Sequence, residues 1–444
     1  VAEGAYANLE LPRLLRRSHL EGRDAAFTTE LAFGTLRHRS FYDAVIAHAA
    51  DRPLSAIDDR ALDVLRLGVH QLLGMRVPDH AALDQTVGLA RAVVGQGAGG
   101  FVNAVLRRVS EADRETWMDR VRPEGVVAGL ALEHSHPDWI VTALRGALIG
   151  HALVDPSAVD AELEALLVAD NDPPRVSLVA RPGLSTVDEL VDGADAEPST
   201  TSRIGALLRS GDPSAIPAVR DGRAAAQDEG SQLLALALAD AEIDVEGPER
   251  WLDLCAGPGG KSGVLAALAA ERGIPFVANE VSEHRADLVR QTLRALPDVE
   301  VRTGDGRVIG EDEPAAYTRV LVDAPCTGLG ALRRRPEARW RRQPGDLAGL
   351  GPLQRDLLDS ALDATVPGGL VGYATCSPHL AETTFVVRDV IKKRDDVEVV
   401  DARALFRDAL GETLADLGEG PFVQLWPHRH GTDGMFFALL RKRR

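Results

Sequence analysis

From about Gln227 to the C-terminus, short apolar runs alternate with helix-forming stretches, and this alternation constrains the fold more than any other feature. The runs are Trp251 to Cys255, Ile274 to Asn279, Tyr317 to Asp323, Gly369 to Thr375 and, after the turn Gly431 to Gly434, Met435 to Leu440. Such runs are what strands buried on both faces look like. Their alternation with helices predicts a doubly wound, mainly parallel α/β sheet. In that architecture ligands bind in the crevice at the carboxyl ends of the strands. The residues that close each run therefore carry the functional information.

The first run ends in Asp253-Leu254-Cys255-Ala256-Gly257-Pro258-Gly259-Gly260-Lys261-Ser262. Glycines there let the backbone approach a ligand and lead into a helix N-terminus. Glu280 closes the second run, where an acidic residue meets ribose hydroxyls. Asp305, in Gly304-Asp305-Gly306, follows a further strand between the Ile274 and Tyr317 runs, where an adenine edge could be read. A phosphate-binding P-loop would need glycine at position 255, which is Cys, and a dinucleotide fingerprint would need it at 262, which is Ser. Among nucleotide-type ligands, S-adenosylmethionine fits best, having ribose and adenine but no phosphate to cradle. A plain tight turn is the bland alternative.

The chain has three cysteines, too few and too far apart for a disulfide framework or a CxxC metal knuckle. Two of them close strands. Asp323-Ala324-Pro325-Cys326-Thr327-Gly328 ends one run and Ala374-Thr375-Cys376-Ser377-Pro378 another, so both thiols should face the crevice of the glycine turn. Buried cysteines are usually inert packing, which suits Cys255. Ser377 and Pro378 read as a helix cap and first turn, predicting Cys376 at a helix N-terminus that favours its thiolate. Asp323 should keep the neighbouring Cys326 protonated.

Upstream, residues 1–135 read as a helical domain. Leu62, Leu65, Val69 and Leu72 share one face, Val102, Val105, Leu106 and Val109 another; Asp58 can cap the first helix, and Gly95 to Gly100 should form the break before the second. His70 and His80 are read as structural or surface residues. Residues 136–225, with a turn at Asn171 to Pro174 and a strand at Val176 to Ala180, suggest a small α+β domain resembling an RNA-recognition fold, leaving 226–444 as the catalytic domain. The start Val1-Ala2-Glu3-Gly4 lacks a signal-like apolar stretch, and no run is long enough to span a bilayer. A monomer working in the cytoplasm is expected, without metal or membrane. The net charge of −17 disfavours non-specific nucleic-acid binding through bulk charge. RNA contact would then need local patches: Arg333, Arg334, Arg335 and Arg339 within the basic run ending at Arg342, and the pair Arg107 and Arg108.

At these residues the chain resembles the RNA 5-methylcytosine methyltransferase family, specifically its Fmu/Sun/RsmB branch, which acts on small-subunit ribosomal RNA. The cofactor loop D-x-C-A-x-P-G-G-K-[ST], the D-A-P-C-[ST]-G segment and the T-C-S segment stand in the family order. Asp433 to Phe437 resembles the closing strand, and Gln227 to Gln232 the entry to the catalytic domain. His80 to Asp84 and Phe101 to Arg108 resemble a NusB-type helical RNA-binding domain. Glu280 stands where the family more often has Asp, and the stretch from Gly146 to Val168 is long for this branch.

The resemblance implies a NusB-like domain, the small linker domain and a Rossmann-like methyltransferase domain. It implies cofactor contacts at Cys255, Ala256, Gly257, Pro258, Gly259, Gly260, Lys261, Glu280, Arg285, Asp305 and Asp323. It makes Cys376 the nucleophile and Cys326 the residue that assists release; the chemistry of adding a thiolate to carbon 6 of a cytosine itself suggests Asp323 as the partner of ring nitrogen 3. Other readings remain: a different RNA such as transfer RNA, DNA cytosine methylation with the P-C cysteine as nucleophile, or a binding adaptor whose methyltransferase-like domain is not catalytic.

Overall fold

The computed structural model describes residues 4–444, which divide into two compact units. The first comprises residues up to Ala143 together with Leu332–Arg341, and the second Leu144–Ala331 together with Arg342–Arg444.

The first unit is helical, with principal helices Gly22–Arg37, Arg39–Ala50, Asp59–Leu73, Asp79–Val93 and Ala98–Val109. Its core gathers Phe41, Val45, Ile46, Leu65, Val69, Val102, Leu106 and Trp117. Both apolar faces read from the sequence thus meet in one interior. Asp58 caps as expected, accepting from Arg60 N and Ala61 N at 3.0 and 3.1 Å. The glycine-rich break is shorter than expected, because the next helix already starts at Ala98. His70 is a buried structural histidine whose Nδ1 lies 2.8 Å from Tyr42 Oη, whereas His80 is exposed.

In the second unit, β1 (Val176–Ala180), β2 (Ala196–Pro198), β3 (Gly205–Leu208) and β4 (Ala224–Ala226) form an antiparallel sheet in the order β2-β3-β1-β4. Leu178, Leu190, Ala206, Leu208 and Ile216 give it an apolar core of its own. The buried Arg181 guanidinium donates to Gly222 O and Thr292 O, both at 2.6 Å, tying this small sheet to the helix Glu283–Thr292.

The main sheet contains β5 (Trp251–Asp253), β6 (Phe276–Glu280), β7 (Glu300–Thr303), β8 (Tyr317–Asp323), β9 (Thr365–Thr375), β10 (Val397–Val400), β11 (Val423–Gln424) and β12 (Phe436–Lys442). Its order is β10-β12-β9-β8-β5-β6-β7, with β11 on β12. β5 to β9 pair in parallel; β12 runs antiparallel to β9, β10 and β11. The chain leaves β5 towards β6 and β7, then returns to place β8 on the other side of β5. The strand order therefore reverses between β5 and β8, where such sheets open a ligand crevice. Among the described residues no helix is long and apolar enough to cross a membrane, and no group of His, Cys, Asp and Glu could hold a metal ion.

Candidate active site

The glycine turn follows β5 and enters the helix Gly260–Glu271 through Gly259, whose φ of +107° lies in the left-handed region that side chains avoid. Glu280 Oε2 accepts from Gly257 N at 3.0 Å and Oε1 from Ser282 N at 3.1 Å, while Arg285 donates to Gly257 O at 2.6 Å. A Cβ on residue 257 would sit 2.3 Å from Glu280 Oε2, so only glycine lets the turn lie against this carboxylate. Asp305 accepts from Arg307 N at 3.0 Å and pairs with the Arg307 guanidinium at 2.6 Å.

This turn suits an adenosyl ligand better than a phosphate. Ser262, the hydroxyl a phosphate loop would present, is fully buried and donates to Asp253 Oδ2 at 2.6 Å. The carboxylates Glu280, Asp305 and Asp323 end β6, follow β7 and end β8, at the carboxyl edge of the sheet. Burial pushes the Cys255 thiol well up, so it is a packed neutral group in the turn.

Across the crevice, Lys261 Nζ donates to Asp323 Oδ2 at 2.8 Å, linking the glycine turn to the end of β8. Burial opposes the Lys261 charge, but Asp323 and, to a smaller extent, Cys376 outweigh it and raise its pKa. The two cysteines converge as expected. Cys326 Sγ and Cys376 Sγ lie 3.4 Å apart, each partly exposed. Cys326 is pushed well above the usual thiol range, first by its hydrogen bond to Cys376, then by burial, and less by Glu382 and Asp323. Both the direction of this shift and its first cause make Cys326 the protonated member of the contact. Asp323 acts in the direction expected from the sequence, keeping Cys326 protonated, but as the smallest of these causes.

The expected helix N-terminus at Cys376 is absent. Ser377 Oγ accepts from His379 N at 3.2 Å, but Pro378 begins no helix. His379 instead caps a single 3-10 turn, Leu380–Glu382, and the helix starts only at Thr384. The nearby Lys261 ammonium, rather than a helix dipole, is the positive group beside this thiol.

Sequence reasoning missed the residues beneath the two cysteine loops. Glu382 is fully buried and accepts from Thr327 N at 2.8 Å, from Thr327 Oγ1, and from Ser377 Oγ at 2.6 Å. Gln354 adds a fourth donor at 3.3 Å, and Tyr373 Oη donates to the Glu382 carbonyl at 2.8 Å. His151, also buried, lies 2.9 Å from Pro378 O. The one sequence signal was the hydroxyl following each cysteine, since two buried donors need an acceptor. Gly434 N donates to Gly330 O at 2.7 Å and Gly330 N to Cys376 O at 2.9 Å, so the turn before β12 braces the same loops.

The basic run behaves differently from the expectation of an RNA-facing strip. Leu332–Arg341 belongs to the helical unit. Arg339 is fully buried and donates to Arg37 O and Ser135 O at 3.2 and 3.3 Å, and Arg333 is buried too. A desolvated guanidinium donating to backbone carbonyls does not face phosphates, so Arg339 is structural, and burial withdraws Arg333 from the surface as well. Arg334 is half-buried, and Arg335 is exposed with its guanidinium over the Tyr6 ring. Arg107 and Arg108 are exposed, although Arg108 also donates to Ala49 O at 2.9 Å.

Comparison with known proteins agrees with this architecture. Residues 241–441 match the model of the 16S rRNA methyltransferase RsmB/F family, and residues 1–111 that of the NusB family. A methyltransferase homologue of Mycobacterium tuberculosis (strain H37Rv) is 50% identical over 99% of this chain and 93% of its own length. Ribosomal RNA small subunit methyltransferase B of Pseudomonas putida is 32% identical over 99% of this chain and 94% of its own length. Among solved structures, PH0851 superposes with a TM-score of 0.78 at 21% identity, over 97% of this chain and 93% of its own. NSun6 from Pyrococcus horikoshii gives a TM-score of 0.54 at 17% identity, over 69% and 98%. The near full-length identity, the two matched models and the strand-end site agree: the chain belongs to the RsmB/F family of S-adenosylmethionine-dependent rRNA methyltransferases, with a NusB-like helical region before its catalytic sheet.

Proposed function

We propose that this protein methylates carbon 5 of a cytosine in small-subunit ribosomal RNA through a covalent bond from Cys376 to the base. The observation that carries the reading is the pair of thiols 3.4 Å apart at the ends of adjacent parallel strands, beside the Lys261–Asp323 ion pair.

Carbon 5 of cytosine is a poor nucleophile until something adds at carbon 6. The Cys376 thiolate, with the Lys261 ammonium nearby, adds there and pushes electron density to carbon 5. Asp323 faces ring nitrogen 3, where its carboxylate accepts a hydrogen bond from the proton that this nitrogen takes up from water as charge develops. Cys326 then serves the release step: with Cys376 bonded to the base, Cys326 gives its own proton to solvent, its thiolate takes the carbon-5 proton, and the C6–S bond breaks to return Cys376 as a thiolate. The turn Cys255 to Lys261 with Glu280, Arg285 and Asp305 would hold the adenosyl ligand. When bound there, S-adenosylmethionine supplies the electrophilic methyl group that carbon 5 takes up.

Exposed arginines of the helical unit, Arg107 and Arg335 among them, are suited to backbone contact with RNA. The accessible base must leave its stack to reach the strand-end crevice. Bisulfite sequencing of ribosomal RNA from cells with and without the gene tests the reading. One or more small-subunit cytosines should lose protection in its absence; an unchanged pattern would refute the assignment.

A further inference from the structure

Beneath the two cysteines, the four donors to Glu382 fill both carboxylate oxygens. Thr327 N and Gln354 Nε2 reach Oε1, and Thr327 Oγ1 and Ser377 Oγ reach Oε2. Thr327 directly follows Cys326 and Ser377 directly follows Cys376. Glu382 itself lies in the turn after β9 and is locked by Tyr373 of the same strand. One buried side chain thus joins the end of β8 to the end of β9 at the residue next to each sulfur.

We propose that Glu382 is a positioning residue that sets the spacing of the Cys326 and Cys376 thiols, and through that spacing the rate of the methylation cycle. The inference rests on the function proposed above for those thiols.

The chemistry of the acceptor explains why this residue is glutamate. An ionised carboxylate offers about four lone-pair sites and no donor, which matches four converging donors. Glutamine has the same shape but turns one end into an N–H donor, aimed at groups that are themselves donors. Its loops must separate or leave a buried hydroxyl or amide unpaired. Aspartate keeps the charge and all the acceptor sites, one methylene shorter, and should restore part of the function. A wider spacing would also weaken the hydrogen bond that keeps Cys326 as the thiol partner of Cys376.

The spacing can be read without RNA or methylation. With 5,5′-dithiobis(2-nitrobenzoate), one protein thiolate attacks the reagent disulfide and expels one thionitrobenzoate. The second protein thiol then attacks the mixed disulfide, expels the second thionitrobenzoate and closes a Cys326–Cys376 bond. Two thiols are oxidised, one aromatic disulfide is reduced to two thiolates, and two protons pass to the buffer. Mass spectrometry of the linked peptides assigns the closure to this pair rather than to Cys255.

The experiment compares full-length wild type, Glu382→Gln and Glu382→Asp for closure rate, single-turnover RNA methylation and S-adenosylmethionine affinity. Glu382→Gln should slow closure and methylation together by about tenfold or more, the effect expected for an unpaired buried donor, with cofactor affinity retained. Glu382→Asp should fall between. A Glu382→Gln protein that binds cofactor normally yet closes the disulfide at the wild-type rate overturns the proposal whatever its activity. So does slow closure with wild-type methylation. If Glu382→Gln fails to fold, Thr327→Val and Ser377→Ala each delete one donor, and wild-type closure in both overturns it equally. Persistent methylation by Cys376→Ala would instead sink the proposed function, leaving the closure kinetics to judge Glu382.

Discussion

Lys261 Nζ and Asp323 Oδ2 stand 2.8 Å apart, so the turn that follows β5 and the strand end that carries Cys326 share one ion pair. Both groups are shielded, with 10% of the Lys261 and 27% of the Asp323 side chain exposed. Removing one member of a shielded pair is expensive, because the other is left desolvated and alone. Lys261→Met should lower single-turnover methylation by about two orders of magnitude, a loss of about 3 kcal/mol. It should also slow alkylation of Cys376 by iodoacetamide, because the thiolate loses its positive neighbour. Unchanged alkylation kinetics would remove Lys261 from the account of Cys376 activation.

Glu280 holds the glycine turn through Gly257 N and Ser282 N. Glu280→Ala should weaken S-adenosylmethionine binding by about tenfold to a hundredfold, the scale of lost hydrogen bonds to a charged group. Gly257→Ala should do at least as much harm, since the added Cβ would meet Glu280 Oε2 at 2.3 Å and Arg285 Nε at 2.8 Å. Calorimetric titration of both variants checks this. Wild-type affinity in either would place the cofactor elsewhere.

A buried and an exposed arginine of the helical unit should behave differently. Arg339→Met should destabilise the protein by about 2–4 kcal/mol, because buried carbonyls lose their donor. Its effect on the salt dependence of RNA binding should be negligible. Arg107→Gln should leave stability within about 0.5 kcal/mol and reduce the salt slope by about one. Thermal denaturation and RNA titrations at several salt concentrations separate the two.

Burial pushes the His151 imidazole down to about 4, against the Pro378 carbonyl that favours its protonated form. The folded value lies below the unfolded value of about 6.5. Stability from neutral His151 is therefore fully present above about pH 6.5 and is lost as pH falls towards 4. The lost contribution amounts to about 3 kcal/mol for a shift of this size. His151→Gln should flatten the fall in stability between pH 6.5 and 4. Denaturant titrations across that window would show an unchanged slope if His151 were not the group involved.

Local signals carried the catalytic features well. The strands β5, β6, β8, β9 and β12 are short apolar runs closed by turn residues, and the rule that ligands meet strand ends put Cys326 and Cys376 together before any coordinates. Glu382 escaped because its importance comes from β8 and β9 being neighbours, which no residue near 382 encodes. The Ser377-Pro378 pair misled for the opposite reason. Ser377 Oγ does accept from His379 N at 3.2 Å while donating to Glu382 at 2.6 Å, but the chain makes only the 3-10 turn Leu380–Glu382 before its helix starts at Thr384. The arginines from 333 to 339 read as an RNA-facing patch because a run of charge usually lies at the surface, yet Arg333 and Arg339 are buried. Arg339 is held there by Arg37 O and Ser135 O, about 200 residues or more away in sequence, which no local signal encodes.

The two cysteines have separable roles, and covalent trapping distinguishes them. Purified Cys376→Ala and Cys326→Ala proteins, incubated with small-subunit ribosomal RNA and S-adenosylmethionine, can be resolved on denaturing gels. Cys376→Ala should give neither methylated RNA nor a protein–RNA adduct, while Cys326→Ala should accumulate the adduct. An adduct formed by Cys376→Ala and none by Cys326→Ala would contradict the assignment of nucleophile and release group.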